Sequence, residues 1–99
     1  MKVRFSNEAL GDLRRIGDYI AKDSPLRARN FLRKLRQRAI KLGDNPFAFP
    51  LISRHEHSGI RRRVFRKYLI FYVVEADTVS VVHILHGAQD YEALLFPDE

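Results

Sequence analysis

The hydrophobic pattern changes its period once along the chain, and this change restricts the fold more than any other feature. In the first half, apolar residues recur at spacings of three and four, which predicts amphipathic helices. From residue 60 onward, apolar residues alternate or run continuously and are often β-branched, which predicts strands. A run of helices followed by a run of strands favours a two-layer α+β fold with a helical hairpin packed on a mostly antiparallel sheet.

Capping and breaking residues mark where these elements begin and end. Ser6 or Asn7 can cap a first helix, Ser24 with Pro25 can open a second, and Gly43 can end it. The sheet is expected to have three to five strands, drawn from residues 1–5, 60–67, 68–74 and 78–85, with a short C-terminal helix or tail over residues 88–96.

Two segments indicate where the core should lie. The stretch 68–74 is apolar on both of its faces, which indicates an interior strand that is covered at least partly on each side. Phe47 and Phe49 lie in an irregular segment between proline breakers. Both rings are expected to tuck against the core.

Length and composition bound the organisation of the protein. A chain of 99 residues predicts a single domain over residues 1–99. The absence of Cys excludes a disulfide framework, a thiolate nucleophile and a cysteine zinc site. No apolar run approaches the roughly 18 residues of a membrane span, and the first residues lack a signal-peptide pattern. The expectation is a cytoplasmic protein with no membrane partner.

Charge is distributed unevenly along the chain. The formal net charge is +6, but residues 1–67 carry all eighteen bases and six acids, a net +12, whereas residues 68–99 carry six acids and no base. Such a field favours an acidic or polyanionic partner and leaves direct binding of nucleic acid open. The second helix has no acid and two basic stripes: Arg29, Arg33, Arg36 and Lys34, Arg38, Lys41.

The four histidines do not form a recognisable metal motif. His55 and His57 fall in a loop, and a divalent site needs three or four converging ligands. His83 and His86 fall on a predicted strand, where a side-chain period of two places them on opposite faces. No metal and no cofactor are expected.

The densest cationic segment is Arg61-Arg62-Arg63. On a strand, Arg61 and Arg63 point to one side and Arg62 points to the other. Three interpretations remain open: a solvated edge strand protected by its charge, a phosphate-binding patch, or a docking surface for an acidic protein segment. Because no catalytic set is evident, the residues favour a binding protein.

Several ordered segments together resemble the ParE/RelE superfamily of bacterial type II toxins, and its ParE branch more closely because of the Leu-His-Gly-Ala-x-Asp ending. Those segments are Ala9-x-x-Asp12-Leu13-x-x-Ile16-x-x-Tyr19-Ile20-Ala21, Ala28-x-x-Phe31-Leu32-x-x-Leu35, Leu42-x-x-x-Pro46, Gly59-Ile60-Arg61, Tyr68-Leu69-Ile70-Phe71-Tyr72-Val73-Val74 and Val82-His83-Ile84-Leu85-His86-Gly87-Ala88-Gln89-Asp90.

The resemblance implies a toxin that a cognate antitoxin keeps inactive in a hetero-oligomer, by wrapping an acidic or amphipathic C-terminal segment around it. ParE-like members trap DNA gyrase on cleaved DNA, and RelE-like members cut messenger RNA on the ribosome. The expected antitoxin-binding residues are Arg29, Arg33, Arg36, Arg61, Arg63 and Phe65. The expected target-binding residues are His86, Asp90, Tyr91, Leu94 and Leu95.

Two alternatives accompany the gyrase interpretation. A RelE-like ribosome-dependent nuclease would draw its catalytic groups from Arg61, Arg63, His83, His86 and Tyr91. His83, however, occupies a position where both branches often carry arginine. The second alternative is an inactive module that only binds its antitoxin, because a shared fold does not fix a function.

Overall fold

A computed structural model describes residues 1–98, so Glu99, the last residue of the expected domain, lies outside the described residues. The helices are α1 (Asn7–Ala21), α2 (Pro25–Ile40) and α3 (Tyr91–Leu95), and the strands are β1 (Lys2–Phe5), β2 (Arg61–Phe65), β3 (Tyr68–Glu75) and β4 (Thr78–His86). Two short 3-10 turns cover Lys41–Gly43 and Glu56–Ser58. The α+β architecture and the helical hairpin are confirmed.

The four strands form one open sheet in the order β1-β4-β3-β2. β2 pairs antiparallel with β3 and β3 with β4, whereas β1 pairs parallel with β4. A parallel pair needs a long crossover, and here the helical hairpin and the two antiparallel strands intervene between β1 and β4. The sheet is therefore mostly antiparallel, with β1 and β2 at its edges.

The N-terminal boundaries of the two long helices follow the predicted caps. The Ser6 hydroxyl accepts a hydrogen bond from the Ala9 N–H at 3.0 Å, and the Ser24 hydroxyl accepts one from the Arg27 N–H at 3.2 Å. α2 itself ends at Ile40, before the predicted end at Gly43, because its last turn tightens into the 3-10 turn Lys41–Gly43. Gly43 lies so close to Met1 that a Cβ there would collide with the Met1 carbonyl oxygen. Within residues 1–98, none of the helices is long and apolar enough to cross a bilayer.

Both faces of β3 are buried, which confirms the prediction of an interior strand. Ile70 and Tyr72 face the two long helices and belong to the larger core cluster. Leu69 and Phe71 face the opposite way and belong to a second, smaller cluster. That smaller cluster is completed by Ile52 and Leu85, with Ile60, Val82, Tyr91, Leu95 and Phe96 packed against it.

The irregular segment after α2 was predicted only in part. Phe49 packs against the larger core cluster, as expected. The prediction for Phe47 was wrong: its ring is 62% exposed and lies under the Arg61 guanidinium, with 5.1 Å between the guanidinium carbon and the ring centroid. The Tyr72 hydroxyl donates to the Pro46 carbonyl at 2.7 Å and holds this segment on the sheet, and burial raises the pKa of Tyr72.

Candidate interaction surfaces

A buried carboxylate ties α1 to β4. Asp12 is only 3% exposed, and one of its oxygens accepts a hydrogen bond from the Ile84 N–H at 2.8 Å and lies 2.7 Å from His83 Nδ1. Arg15, one turn further along α1, forms an ion pair with the other oxygen. A buried carboxylate without partners would cost several kcal/mol, and these three contacts offset that cost. Sequence analysis gave Asp12 no structural role, although an acid inside the apolar stripe of α1 was an available signal.

The pairing of β4 with β3 is shifted at Val82, which is an extra residue in β4. As a result, Val81 and Ile84 both reach the helix-side core although they are three positions apart. The shift lies before His83, so the alternation from His83 to His86 is uninterrupted: His83 pairs with Phe71 of the smaller cluster, and His86 pairs with Tyr68 beside the larger one, in agreement with the prediction of opposite faces. The His83 ring nonetheless reaches Asp12 of α1. Both histidines line the same groove.

The start of α1 satisfies the backbone at this bulge. The Ser6 N–H donates to the Val81 carbonyl at 2.9 Å, and the Ser6 hydroxyl donates to the Val82 carbonyl at the same distance. Ser6 therefore both caps α1 and provides hydrogen bonds to the two backbone carbonyls at the bulge in β4. The shape of the neighbouring groove depends on these contacts and on those of Asp12.

The groove that holds the two histidines has a volume of about 660 Å³ and lies between α1, the end of β4 and α3; we call it the histidine groove. Tyr19 and Leu94 line it and are 70% and 50% exposed. His86 is fixed at one end, since its Nδ1 accepts from the Ala88 N–H at 3.0 Å. Exposed apolar side chains beside imidazole and guanidinium groups suit a partner segment that is itself amphipathic.

Some residues of the C-terminal segment hold α3 on the sheet, and others are exposed at the histidine groove. Asp90 caps α3 by accepting from the Ala93 N–H at 3.3 Å. The Tyr91 ring lies 5.1 Å from that of Phe71, and Leu95 also packs against the smaller core cluster. Of the five expected target-binding residues, only His86 and Leu94 line the histidine groove. The other three hold α3 in place.

Polar contacts of Glu92 with His55 and Arg54 attach α3 to the loop before β2; we call this group the Glu92 clasp. The Glu92 carboxylate lies 2.9 Å from His55 Nε2 and accepts a hydrogen bond from Arg54 at 3.2 Å. The hydrogen bond with His55, helped by the charge of Arg54, lowers the pKa of Glu92 below its ordinary value. The Phe96 ring stacks on the His55 ring at 4.0 Å. Sequence analysis did not predict this clasp, because its partners are far apart in the chain.

The outer face of α2 is cationic, as the sequence indicates. Arg29, Arg33 and Arg36 are all exposed. In the part of the chain that the structure describes, no ion pair joins a base of α2 to an acid. The charge of this helix is therefore available to a partner.

The arginines of β2 alternate as predicted. Arg61 donates to the Phe49 carbonyl at 2.7 Å, and the Arg63 guanidinium lies 4.7 Å from the centroid of the same residue's ring. Arg62 points to the opposite face and donates to the Tyr91 hydroxyl at 3.3 Å. Burial, together with the charge of Arg38, lowers the pKa of Arg63.

Phe65, which the sequence analysis placed on the antitoxin surface, is only 4% exposed. Its ring lies 5.6 Å from the ring of Phe31 in the larger core cluster. The guanidinium groups of Arg38 and Arg66 cover it at 5.2 and 5.4 Å. A partner can therefore reach the arginines above Phe65 but not the ring itself.

The five candidates for a nuclease site lie on three different surfaces. Arg61 and Arg63 lie beside Phe49 on the helix side of the sheet. Tyr91 lies on the other side of the sheet, and the two histidines line the groove beside α1. Within residues 1–98, no group of three or more potential metal ligands is present.

Comparison with known proteins agrees with this architecture. Among solved structures, the chain resembles one from the chromosomal ParDE toxin–antitoxin system of P. aeruginosa, with a TM-score of 0.74 and 17% identity over 87% of this chain and 95% of that one. It also resembles a chain of the RelBE2 toxin–antitoxin complex of Mycobacterium tuberculosis, with a TM-score of 0.65 and 22% identity over 89% of this chain and 92% of that one. No curated protein sequence matches the chain.

Residues 3–91 match the family described as the ParE toxin of the type II toxin-antitoxin system, parDE. The fold and the sequence thus define a small toxin of a type II toxin–antitoxin system. The chain belongs to the ParE toxin family.

Proposed function

We propose that this toxin poisons DNA gyrase by trapping the enzyme on cleaved DNA, and that a cognate antitoxin neutralises it. The observation that carries the proposal is the ParE family match over residues 3–91. The dispersal of the nuclease candidates over three surfaces also favours binding over bond cleavage, since an acid and a base must reach the same reacting group.

The proposed target surface is the rim of the histidine groove. His86 and Leu94 offer a polar and an apolar contact there, and Tyr19 on α1 extends the apolar part. Asp90, Tyr91 and Leu95 act on this surface indirectly, because they cap α3 and dock it on the sheet.

The proposed antitoxin surface is the cationic face of α2 together with the arginines of β2. Arg29, Arg33 and Arg36 supply exposed charge, while Arg61 and Arg63 are held in place over the Phe47 and Phe49 rings. An acidic or amphipathic segment that orders as it binds can cover such a broad surface. The resulting complex is a hetero-oligomer in the cytoplasm.

The order in which cellular processes stop tests the proposal. After induction of the chain in bacteria that lack the antitoxin, we expect DNA synthesis to stop while protein synthesis continues for a time. Pulse labelling with a nucleoside and an amino acid measures the two rates in one culture. An early stop of protein synthesis with cleaved messenger RNA would favour the nuclease alternative, and no effect on either rate would favour the inactive module.

A further inference from the structure

A second groove, separate from the proposed target surface, is lined by cations from two elements. Arg27 and Lys34 of α2 form one wall, and Arg66 and Lys67 of the β2–β3 turn form the other. The groove has a volume of about 410 Å³, and none of its lining residues is acidic. We call it the cationic groove. In the sequence, Lys34 belongs to a basic stripe of the second helix, and nothing there brings the β2–β3 turn next to α2.

The four cations have no acidic partner. In the part of the chain that the structure describes, none of them takes part in an ion pair. Four positive charges held together without compensation repel one another, so an anion bound between them relieves that repulsion. The groove is therefore suited to an anionic ligand.

Arg66 is held in position before any ligand arrives. Its backbone φ is 55°, which turns the chain between β2 and β3 and directs the side chain over the sheet. Its guanidinium lies 5.7 Å from the Phe31 ring centroid and 5.4 Å from that of Phe65. A planar guanidinium fixed in this way can donate two parallel hydrogen bonds from separate nitrogens to one phosphate, a fork that the single ammonium of lysine does not offer.

We propose that the cationic groove binds the phosphodiester backbone of a nucleic acid without regard to sequence. Charge density favours phosphate over an acidic peptide. Duplex DNA carries one negative charge per about 1.7 Å of axis. Carboxylates on one face of a helix recur only about every 5–6 Å. A groove with four cations on two facing walls matches the denser ligand.

The position of the groove connects it to the rest of the molecule. Lys67 and Tyr68 line both the cationic groove and the histidine groove, so the two surfaces are continuous. A toxin whose histidine groove contacts a DNA-bound enzyme would therefore present its cationic groove to the adjacent DNA. The proposal itself requires neither gyrase nor an antitoxin and goes beyond the proposed function.

The salt dependence of DNA binding tests this proposal with the purified chain alone. Four phosphate contacts predict a slope of about −3.6 for log K against log salt, which weakens binding about 150-fold between about 50 and 200 mM salt. A variant with Lys34→Gln and Lys67→Gln should lower the slope to about −1.8 and the loss to about 12-fold. Fluorescence anisotropy with a labelled duplex of about 20 base pairs measures both.

The matched control removes the same amount of charge elsewhere. Lys2→Gln with Arg4→Gln neutralises two exposed cations on β1, at the opposite edge of the sheet, and should leave the slope unchanged. Circular dichroism confirms that both double variants fold. An RNA strand of the same length should bind with a slope near −2.8, since the phosphodiester is shared.

Three results would overturn the proposal. The first is no binding of the duplex at low salt. The second is an equal change of slope in both double variants, which would assign binding to the overall charge and not to the groove. The third is tighter binding of an oligoglutamate peptide than of the duplex, which would assign the groove to an acidic protein segment. Because the assay contains no gyrase, its failure is distinguishable from failure of the proposed function.

Discussion

At the scale of single residues, Asp12 is the side chain that joins the two layers beside the histidine groove. From its position on α1, Asp12 accepts a hydrogen bond from the Ile84 N–H of β4 and contacts His83 of the same strand. It also forms an ion pair with Arg15 of its own helix. The His83 ring is half-buried, so the carboxylate also sets its orientation. A change at Asp12 should therefore affect stability and groove shape together.

Asp12→Ala should lower the free energy of unfolding by about 3 kcal/mol, because it leaves the buried Ile84 N–H without an acceptor and removes the contact with His83. Asp12→Asn keeps one side-chain oxygen that can accept from the Ile84 N–H and should cost about 1 kcal/mol. Urea unfolding followed by circular dichroism measures both. Asp18→Ala, an exposed acid on the same helix, should change stability by less than about 0.5 kcal/mol. Equal effects at positions 12 and 18 would contradict the role given to Asp12.

Leu94 and Leu95 are adjacent in the chain but have different roles. Leu94 is 50% exposed and lines the histidine groove, whereas Leu95 packs against the smaller core cluster. Leu94→Asp should abolish toxicity while unfolding changes by less than about 0.5 kcal/mol. Leu95→Ala should cost about 2 kcal/mol of stability. Colony counts after induction, beside urea unfolding, separate the two effects, and full toxicity of Leu94→Asp would remove this rim from the target surface.

At the scale of elements, α3 is held on the sheet by packing on one side and by the Glu92 clasp on the other. The folded state holds the pKa of Glu92 below its ordinary value through the hydrogen bond with His55. A depressed pKa contributes stability that is fully present above the unfolded pKa and is lost as the pH falls through the folded pKa. The attachment of α3 should therefore weaken in acid.

Hydrogen exchange of the α3 amides tests this dependence. Their protection should decrease between about pH 6 and about pH 3, a range that spans the ordinary carboxyl pKa. Glu92→Gln should start from lower protection and show a smaller decrease, because it has no carboxylate to lose. Glu75→Gln, at an exposed acid on the far end of β3, is the control and should behave like the unmodified protein. The clasp would be excluded if Glu92→Gln kept the full pH response.

The outer face of α2 should decide recognition by the antitoxin. Reversing the charge at Arg29, Arg33 and Arg36 replaces attraction with repulsion and should weaken antitoxin binding at least 100-fold, since like-charge juxtaposition costs several kcal/mol. Isothermal calorimetry with the product of a neighbouring antitoxin gene measures this affinity. The control reverses three exposed bases elsewhere, at Lys2, Arg4 and Arg14, and has the same net charge. If both triple variants bind alike, the antitoxin responds to total charge and not to this helix.

Local sequence signals predict the elements well. Ser6 and Ser24 cap helices because their hydroxyl groups satisfy free N–H groups within three residues, and the apolar run of β3 requires cover on both faces. Features that depend on distant residues were not predictable in this way. The bulge at Val82 became visible only when β4 paired with β3, and it placed Val81 and Ile84 on the same face of the sheet. The Asp12 network and the cationic groove likewise join residues more than 30 positions apart.

At the scale of the whole molecule, the basic and acidic parts of the sequence become different regions of one fold. The first 67 residues carry a net charge of +12 and supply both long helices and the cations that line the cationic groove. The acidic remainder supplies the interior strands and α3. A field with this polarity orients the toxin as it approaches a polyanionic partner and speeds the encounter at low salt.

The proposed action of this toxin, trapping of a partner on DNA, can be tested with purified gyrase. The toxin is incubated with gyrase, ATP and a supercoiled plasmid, and the reaction is stopped with detergent and protease. We expect linear plasmid to accumulate with increasing toxin, only when gyrase is present, and Leu94→Asp to suppress the accumulation. A plasmid that stays supercoiled or relaxed at every toxin concentration, without linear product, would contradict the proposed action.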